Sequence, residues 1–138
     1  PYIVDVNKSA FLAPEDMAKA VADECGKGGA PAPKTLGDTA RCVYQSLARS
    51  YKNAIDNLEE ITGRKFTSIN IVGGGCKDGY LNSLTANITG LPVYAGPAEG
   101  TTLGNLVAQM LAAREFNSLQ QARNAVALSF DIQLYQPE

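Results

Sequence analysis

The chain has 138 residues, 45% of them hydrophobic and 19% charged, which suits one folded domain with its own core rather than a disordered segment. Its 12 basic and 14 acidic residues leave a net charge of −2, without the basic excess that a nucleic-acid binder carries. No apolar run approaches the roughly 18 residues of a membrane-spanning helix, and the absence of histidine excludes catalysis by imidazole.

Cys25, Cys42 and Cys76 are odd in number and lack CxxC spacing, so neither a zinc site nor a secreted disulfide framework is indicated. Free thiols in a reducing, cytoplasmic setting are the plain reading. Cys25 ends one predicted helix and Cys42 opens the next, and whether they join is a matter of geometry. The chain opens at Pro1-Tyr2-Ile3-Val4, in a stretch that already reads as structured, as a portion of a longer protein would.

Residues 1–13 read as extended or loop-like. Pro14 suits a first helical turn, with Glu15 and Asp16 near the positive end of the helix dipole. Met17, Ala20, Val21 and Cys25 then form an apolar stripe that Gly26 ends. Residues 26–33 carry three glycines and two prolines and predict a loop. Thr35, with Asp38 three residues on, resembles a capping box. Ala40, Val43, Tyr44, Leu47, Ala48, Tyr51, Ile55, Leu58 and Ile61 recur at three- and four-residue steps, which predicts a long helix ending at Gly63.

From Ser68 the period changes. Ile69, Ile71 and Val72 form a short strand that runs into Gly73-Gly74-Gly75. A helix with Leu81, Leu84 and Ile88 on one face follows, ending at Gly90. Leu91–Ala95 predicts a second strand, ending at Gly96-Pro97, and a helix then carries Leu103, Leu106, Val107, Met110 and Leu111. Ser118 and Gln121 predict a capped short helix through Val126, and the alternation over Phe130–Leu134 suits an edge strand. Strand, helix, strand, helix at this spacing is a βαβ unit with a parallel strand pair.

Between Gly79 and Ala113 the sole charged side chain is Glu99, so these elements are expected to be buried or to line a cleft. Open parallel sheets bind ligands beyond the carboxyl ends of their strands. Two such turns occur, Gly73-Gly74-Gly75-Cys76 and Gly96-Pro97-Ala98-Glu99-Gly100-Thr101. Three consecutive glycines serve close backbone approach or positive φ, which fits either a nucleotide lying against the backbone or a tight turn packing helix onto strand. A P-loop is excluded, since no Gly-Lys-Ser/Thr occurs. A dinucleotide fingerprint is excluded by Asp78 where a glycine is needed. Glu99 suits a helix-dipole cap or a group facing a metal-bound phosphate. Gly104, inside a helix, implies a close neighbour. Asp5, Asn7, Lys77 and Asp78 are polar residues near loops that no spacing singles out.

Ile71-Val72-Gly73-Gly74-Gly75-Cys76, Leu81-Asn82-Ser83-Leu84 and Ala95-Gly96-Pro97-Ala98-Glu99-Gly100-Thr101-Thr102-Leu103-Gly104-Asn105 resemble the C-terminal domain of FGGY carbohydrate kinases. Phe11-Leu12-Ala13-Pro14-Glu15-Asp16-Met17 and Ala40-Arg41-Cys42-Val43-Tyr44-Gln45-Ser46-Leu47-Ala48 resemble the rhamnulokinase branch. The resemblance is colinear over nearly the whole chain. It departs at Ser83, where the family commonly has glutamine, at Asn87, commonly aspartate, and at Gly100, commonly alanine.

The resemblance implies an α/β fold: a fragment of an actin-like (ribonuclease-H-like) ATPase domain, with a βαβ core and flanking long helices. Residues 1–138 would be the nucleotide-side C-terminal domain without its first strands and without the N-terminal domain, which would be its partner. The implied reaction moves the γ-phosphoryl of Mg-ATP to a ketose hydroxyl, with L-rhamnulose the branch-level substrate and L-fuculose or another ketose the alternatives. ATP and magnesium are the implied cofactors. Gly73, Gly74, Gly75 and Cys76 would form the adenosine-binding wall, with Cys76 at the start of the adjoining helix. The general-base aspartate is expected upstream, so this segment is expected to supply no catalytic residue and no metal ligand and to be inactive alone. The alternative is a self-standing, non-catalytic α/β module that binds a nucleotide or a partner.

Overall fold

The computed structural model describes residues 3–29 and 31–138. Two compact units are present, one up to Phe66 and one from Thr67 onward.

The first unit is built on two helices, α1 (Met17–Lys27) and α2 (Leu36–Thr62). Of the expected extended stretch, residues 1 and 2 lie outside the described residues, and Ser9–Phe11 form a single 3-10 turn. Helix α1 starts later than Pro14 suggests, because the Asp16 side chain accepts from the Lys19 N–H at 2.9 Å and makes Asp16 the N-cap. Gly26 is absorbed into the helix, which runs to Lys27 with Gly28 as its C-cap. Helix α2 opens on the expected capping box. The Asp38 N–H donates to Thr35 Oγ1 at 3.0 Å, and the Thr35 N–H donates to Asp38 Oδ2 at 3.2 Å. It closes on Gly63 at φ 66°.

Val4, Val21, Cys25 and Cys42 form the buried cluster of this unit, with Phe11 and Val43 packed against it. The Val4 N–H donates to Ser46 Oγ at 3.0 Å, and that hydroxyl donates to the Cys42 carbonyl at 2.6 Å, so the entering segment is tied to α2. The buried residues of α2 are Cys42, Ser46 and Ala48, so of the predicted stripe Ala48 alone is fully buried, and its far end is uncovered, with Ile61 80% exposed.

The second unit runs β1 (Ile69–Ile71), α3 (Gly79–Thr89), β2 (Val93–Ala95), α4 (Gly100–Ala112), α5 (Leu119–Ser129) and β3 (Gln133–Tyr135). Strands β1 and β2 are parallel with Ile69 opposite Val93, so β1-α3-β2 is the βαβ unit that the change of period predicts. Strand β3 pairs antiparallel with β2 and forms one edge of the three-stranded sheet, in the order β1-β2-β3. Val93 and Ala95 of β2 and Asn82, Thr85 and Ala86 of α3 are buried. No residue of α4 is buried. Its Gly100, Leu103, Gly104 and Val107 line a largely apolar groove of about 790 Å³, the cleft-lining arrangement expected of a charge-poor stretch.

Helix α5 extends to Ser129, three residues beyond Val126. The Gln121 N–H donates to Ser118 Oγ as expected, but the Gln121 side chain accepts from Asn117 rather than from the cap residue itself. No helix among the described residues is long and apolar enough to cross a membrane.

Candidate functional site

The candidate site lies at the carboxyl ends of β1 and β2, where the structure brings the two glycine-bearing turns together. The Gly96 N–H donates to the Ile71 carbonyl at 2.8 Å, extending the strand pairing by one step. The Gly73 N–H then donates to the Pro97 carbonyl at 3.2 Å. A Cβ built on Gly100 would stand 3.0 Å from Val72 Cβ, so the first turn of α4 rests directly on the exit of β1.

The three consecutive glycines answer to different constraints. Gly73 has φ 79°, a backbone state that favours glycine. Gly75 would place a Cβ at an ordinary 3.7 Å from Ile71 Cγ2. Gly74 is exposed, and a Cβ there would meet nothing within 4 Å. Backbone conformation therefore favours glycine at 73, and the space before Gly74 is open.

Gly74–Lys77 form a 3-10 turn closed by Cys76 N–H to Gly73 O at 3.1 Å and Asp78 N–H to Gly75 O at 3.2 Å. Cys76 therefore sits inside this turn and not at the start of the helix. The cause is Asp78, whose side chain accepts from the Leu81 N–H at 3.0 Å and sets the start of α3 at Gly79. Cys76 is half-buried and a free thiol.

Sequence reasoning passed over Asn82. It is fully buried on α3, and its Nδ2 donates to the Cys76 carbonyl at 3.0 Å, which ties the helix to the turn. Its Oδ1 has no partner among the described residues, and neither has the buried Thr85 Oγ1 one helical turn on. A buried polar atom left unpaired costs about 1–3 kcal/mol. The available signal was an uncharged amide at a position where the helix otherwise turns apolar and small residues inward.

On the second turn, Gly96 has φ 130°, and a Cβ there would fall 2.9 Å from the Asp131 carbonyl. The Gly96–Pro97 peptide is cis. Glu99 occupies the N-cap position of α4 but makes no capping hydrogen bond, so the expected dipole-capping contact is not formed. Gly104 has nothing within 4 Å where a Cβ would point, so its implied close neighbour is not among the described residues. Lys77 is exposed. Asp5 and Asn7 belong to the first unit, where the Asn7 N–H donates to Asp5 Oδ1 in a local turn.

Among the described residues no group of three or more acidic or cysteine side chains is placed to hold a metal ion. The glycine backbone and the unhindered space before Gly74 suit contact with a planar or ribose-like group.

Comparison with known proteins gives the family. Residues 1–113 match the C-terminal domain of the FGGY family of carbohydrate kinases. The chain is 46% identical over 132 residues to the rhamnulokinase of Halalkalibacterium halodurans, covering 96% of this chain and 28% of that protein. It is 41% identical over 135 residues to the rhamnulokinase of Bacillus subtilis, covering 98% of this chain and 28% of the relative. With the rhamnulokinase of Oceanobacillus iheyensis the figures are 41% over 133 residues, 96% and 28%. The chain thus belongs to the FGGY family of carbohydrate kinases, within its C-terminal domain. It spans a little over a quarter of the length of these relatives.

Proposed function

We propose that this chain is the nucleotide-side part of an ATP-dependent sugar kinase that phosphorylates a ketose, with L-rhamnulose as the substrate. Residues 1–138 are read as a portion of the C-terminal domain, working with an N-terminal domain of the same protein in an actin-like, two-domain arrangement. The parallel β1-α3-β2 unit supports that reading, and the names of the three relatives support the choice of sugar.

The observation that carries the proposal is the open space before Gly74, at the carboxyl end of a strand in a parallel pair. There the backbone of Gly73, Gly74, Gly75 and Cys76 forms the wall on which the adenosine moiety of ATP rests. Magnesium accompanies the phosphates and supplies electrostatic stabilisation of the transferring group. Its ligands and the general base for the sugar hydroxyl come from outside this segment. The contribution of this chain is to bind and orient the nucleotide, which matters because phosphoryl transfer depends on positioning.

The test is release of ADP by the full-length protein across a panel of ketoses. Turnover with L-rhamnulose in clear preference to L-fuculose and the other ketoses is expected. Turnover with none of them would overturn the reading.

A further inference from the structure

A side-chain hydrogen bond between α3 and the glycine turn runs from a residue that the fold gains little by keeping polar. Asn82 is fully buried, spends one amide hydrogen on the Cys76 carbonyl at 3.0 Å, and leaves its Oδ1 without a partner among the described residues. For stability alone, an apolar side chain of similar volume would fill the site without stranding a carbonyl oxygen. What the amide achieves is geometric. The turn is otherwise closed by two backbone bonds of its own, both slightly long at 3.1 and 3.2 Å. The Asp78 side chain accepts from the Leu81 N–H at the start of α3. Asn82 holds the Cys76 peptide from the helix side, while Gly74 faces open space.

We propose that Asn82 is a positioning residue for nucleotide binding: its amide bond to Cys76 O sets the plane of the Gly73–Cys76 turn against which ATP is held. The inference rests on the reading of that turn as the adenosine wall. Asn82 touches no substrate and acts through the Cys76 carbonyl alone. Its loss should weaken ATP binding while leaving the sugar side of the reaction untouched.

The test uses the full-length protein with Asn82→Leu, which keeps the branching and the number of heavy atoms and removes both amide polar atoms, and with Asn82→Ser, which is smaller and avoids any clash. The expected result is a KM for ATP raised about tenfold or more, the scale that misplacing a binding surface produces. The KM for the sugar should stay within about twofold, and the melting temperature of Asn82→Leu should stay within about 3 °C of the parent. An unchanged KM for ATP in a folded variant would overturn the inference. So would a parallel rise of both KM values with a fall in melting temperature, or failure of both variants to fold, since either marks a residue of the fold alone. Gly74→Val in the same assay separates the two levels. If it too leaves the KM for ATP unchanged, the adenosine wall itself is misplaced. If it raises that KM and the Asn82 variants do not, only the role of Asn82 is wrong.

Discussion

The Gly73 N–H donates to the Pro97 carbonyl, joining the turns that leave β1 and β2. Because of this bond the two strand ends form one surface, and a disturbance on either turn is felt by both. Gly96 is the most constrained point, with φ 130° and the Asp131 carbonyl 2.9 Å from where a Cβ would stand. Gly96→Ala should cost about 2–4 kcal/mol through backbone strain and a clash with main chain that cannot swing away. Urea denaturation of the full-length protein should show the loss. Wild-type stability in this variant would contradict the packing of the second turn.

Gly74 presents the opposite case. A Cβ there meets nothing within 4 Å and the residue lies outside the left-handed region, so Gly74→Ala should change stability by no more than about 1 kcal/mol. Gly74→Val should fold equally well yet lose ATP affinity about a hundredfold, by occupying space that the nucleotide needs. Urea denaturation of the two variants checks their stability, and equilibrium titration with ADP reads the affinity.

Glu24 is a carboxylate enclosed by protein, its side chain 4% exposed, with Lys27 Nζ at 2.5 Å and Lys8 Nζ at 2.7 Å. The hydrogen bond from Lys27 first, then that from Lys8, hold its pKa below the ordinary glutamate range against the opposing effect of burial. The folded state therefore binds fewer protons at this site than the unfolded state. Its contribution is in full force above the ordinary glutamate pKa and disappears as pH falls through the lowered one. Glu24→Gln should flatten the acid limb of the stability curve of the first unit relative to the wild type. Superimposable acid limbs would contradict the assignment.

The cysteines should separate by reactivity. Cys25 and Cys42 are free thiols with their sulfurs 3.7 Å apart in the buried cluster. Burial, followed by the hydrogen bond and charge interaction with Cys25, pushes the Cys42 thiol up to about 11, which suppresses the thiolate that reacts. Iodoacetamide near pH 8 should label the half-buried Cys76 first and reach Cys25 and Cys42 only on unfolding. Peptide mass spectrometry reads the order, and early labelling of Cys42 would contradict it.

The helices were legible wherever capping and periodicity agreed. Thr35, Asp38 and Gly63 mark both ends of α2 because their side chains or backbone states perform the capping themselves. The start of α1 was misplaced because proline is compatible with a first turn without requiring one, whereas the Asp16 carboxylate actively satisfies an orphan N–H. Cys76 was misassigned for a related reason, since a 3-10 turn followed by a second cap at Asp78 leaves no mark in hydrophobic spacing. Of the candidate site, the two glycine turns could be found by eye. Their joining through Gly73 and Pro97, and the hold of Asn82 on Cys76, could not, because both depend on carbonyl oxygens that every residue carries.

The most direct measurement of the central claim is amide hydrogen exchange on the full-length protein with and without saturating ADP. If the Gly73–Cys76 turn is the adenosine wall, peptides covering residues 72–78 should exchange about tenfold more slowly when ADP is bound, as local opening is suppressed. The peptides of α1 should remain unchanged. Saturation by ADP with no protection across residues 72–78 would contradict the account.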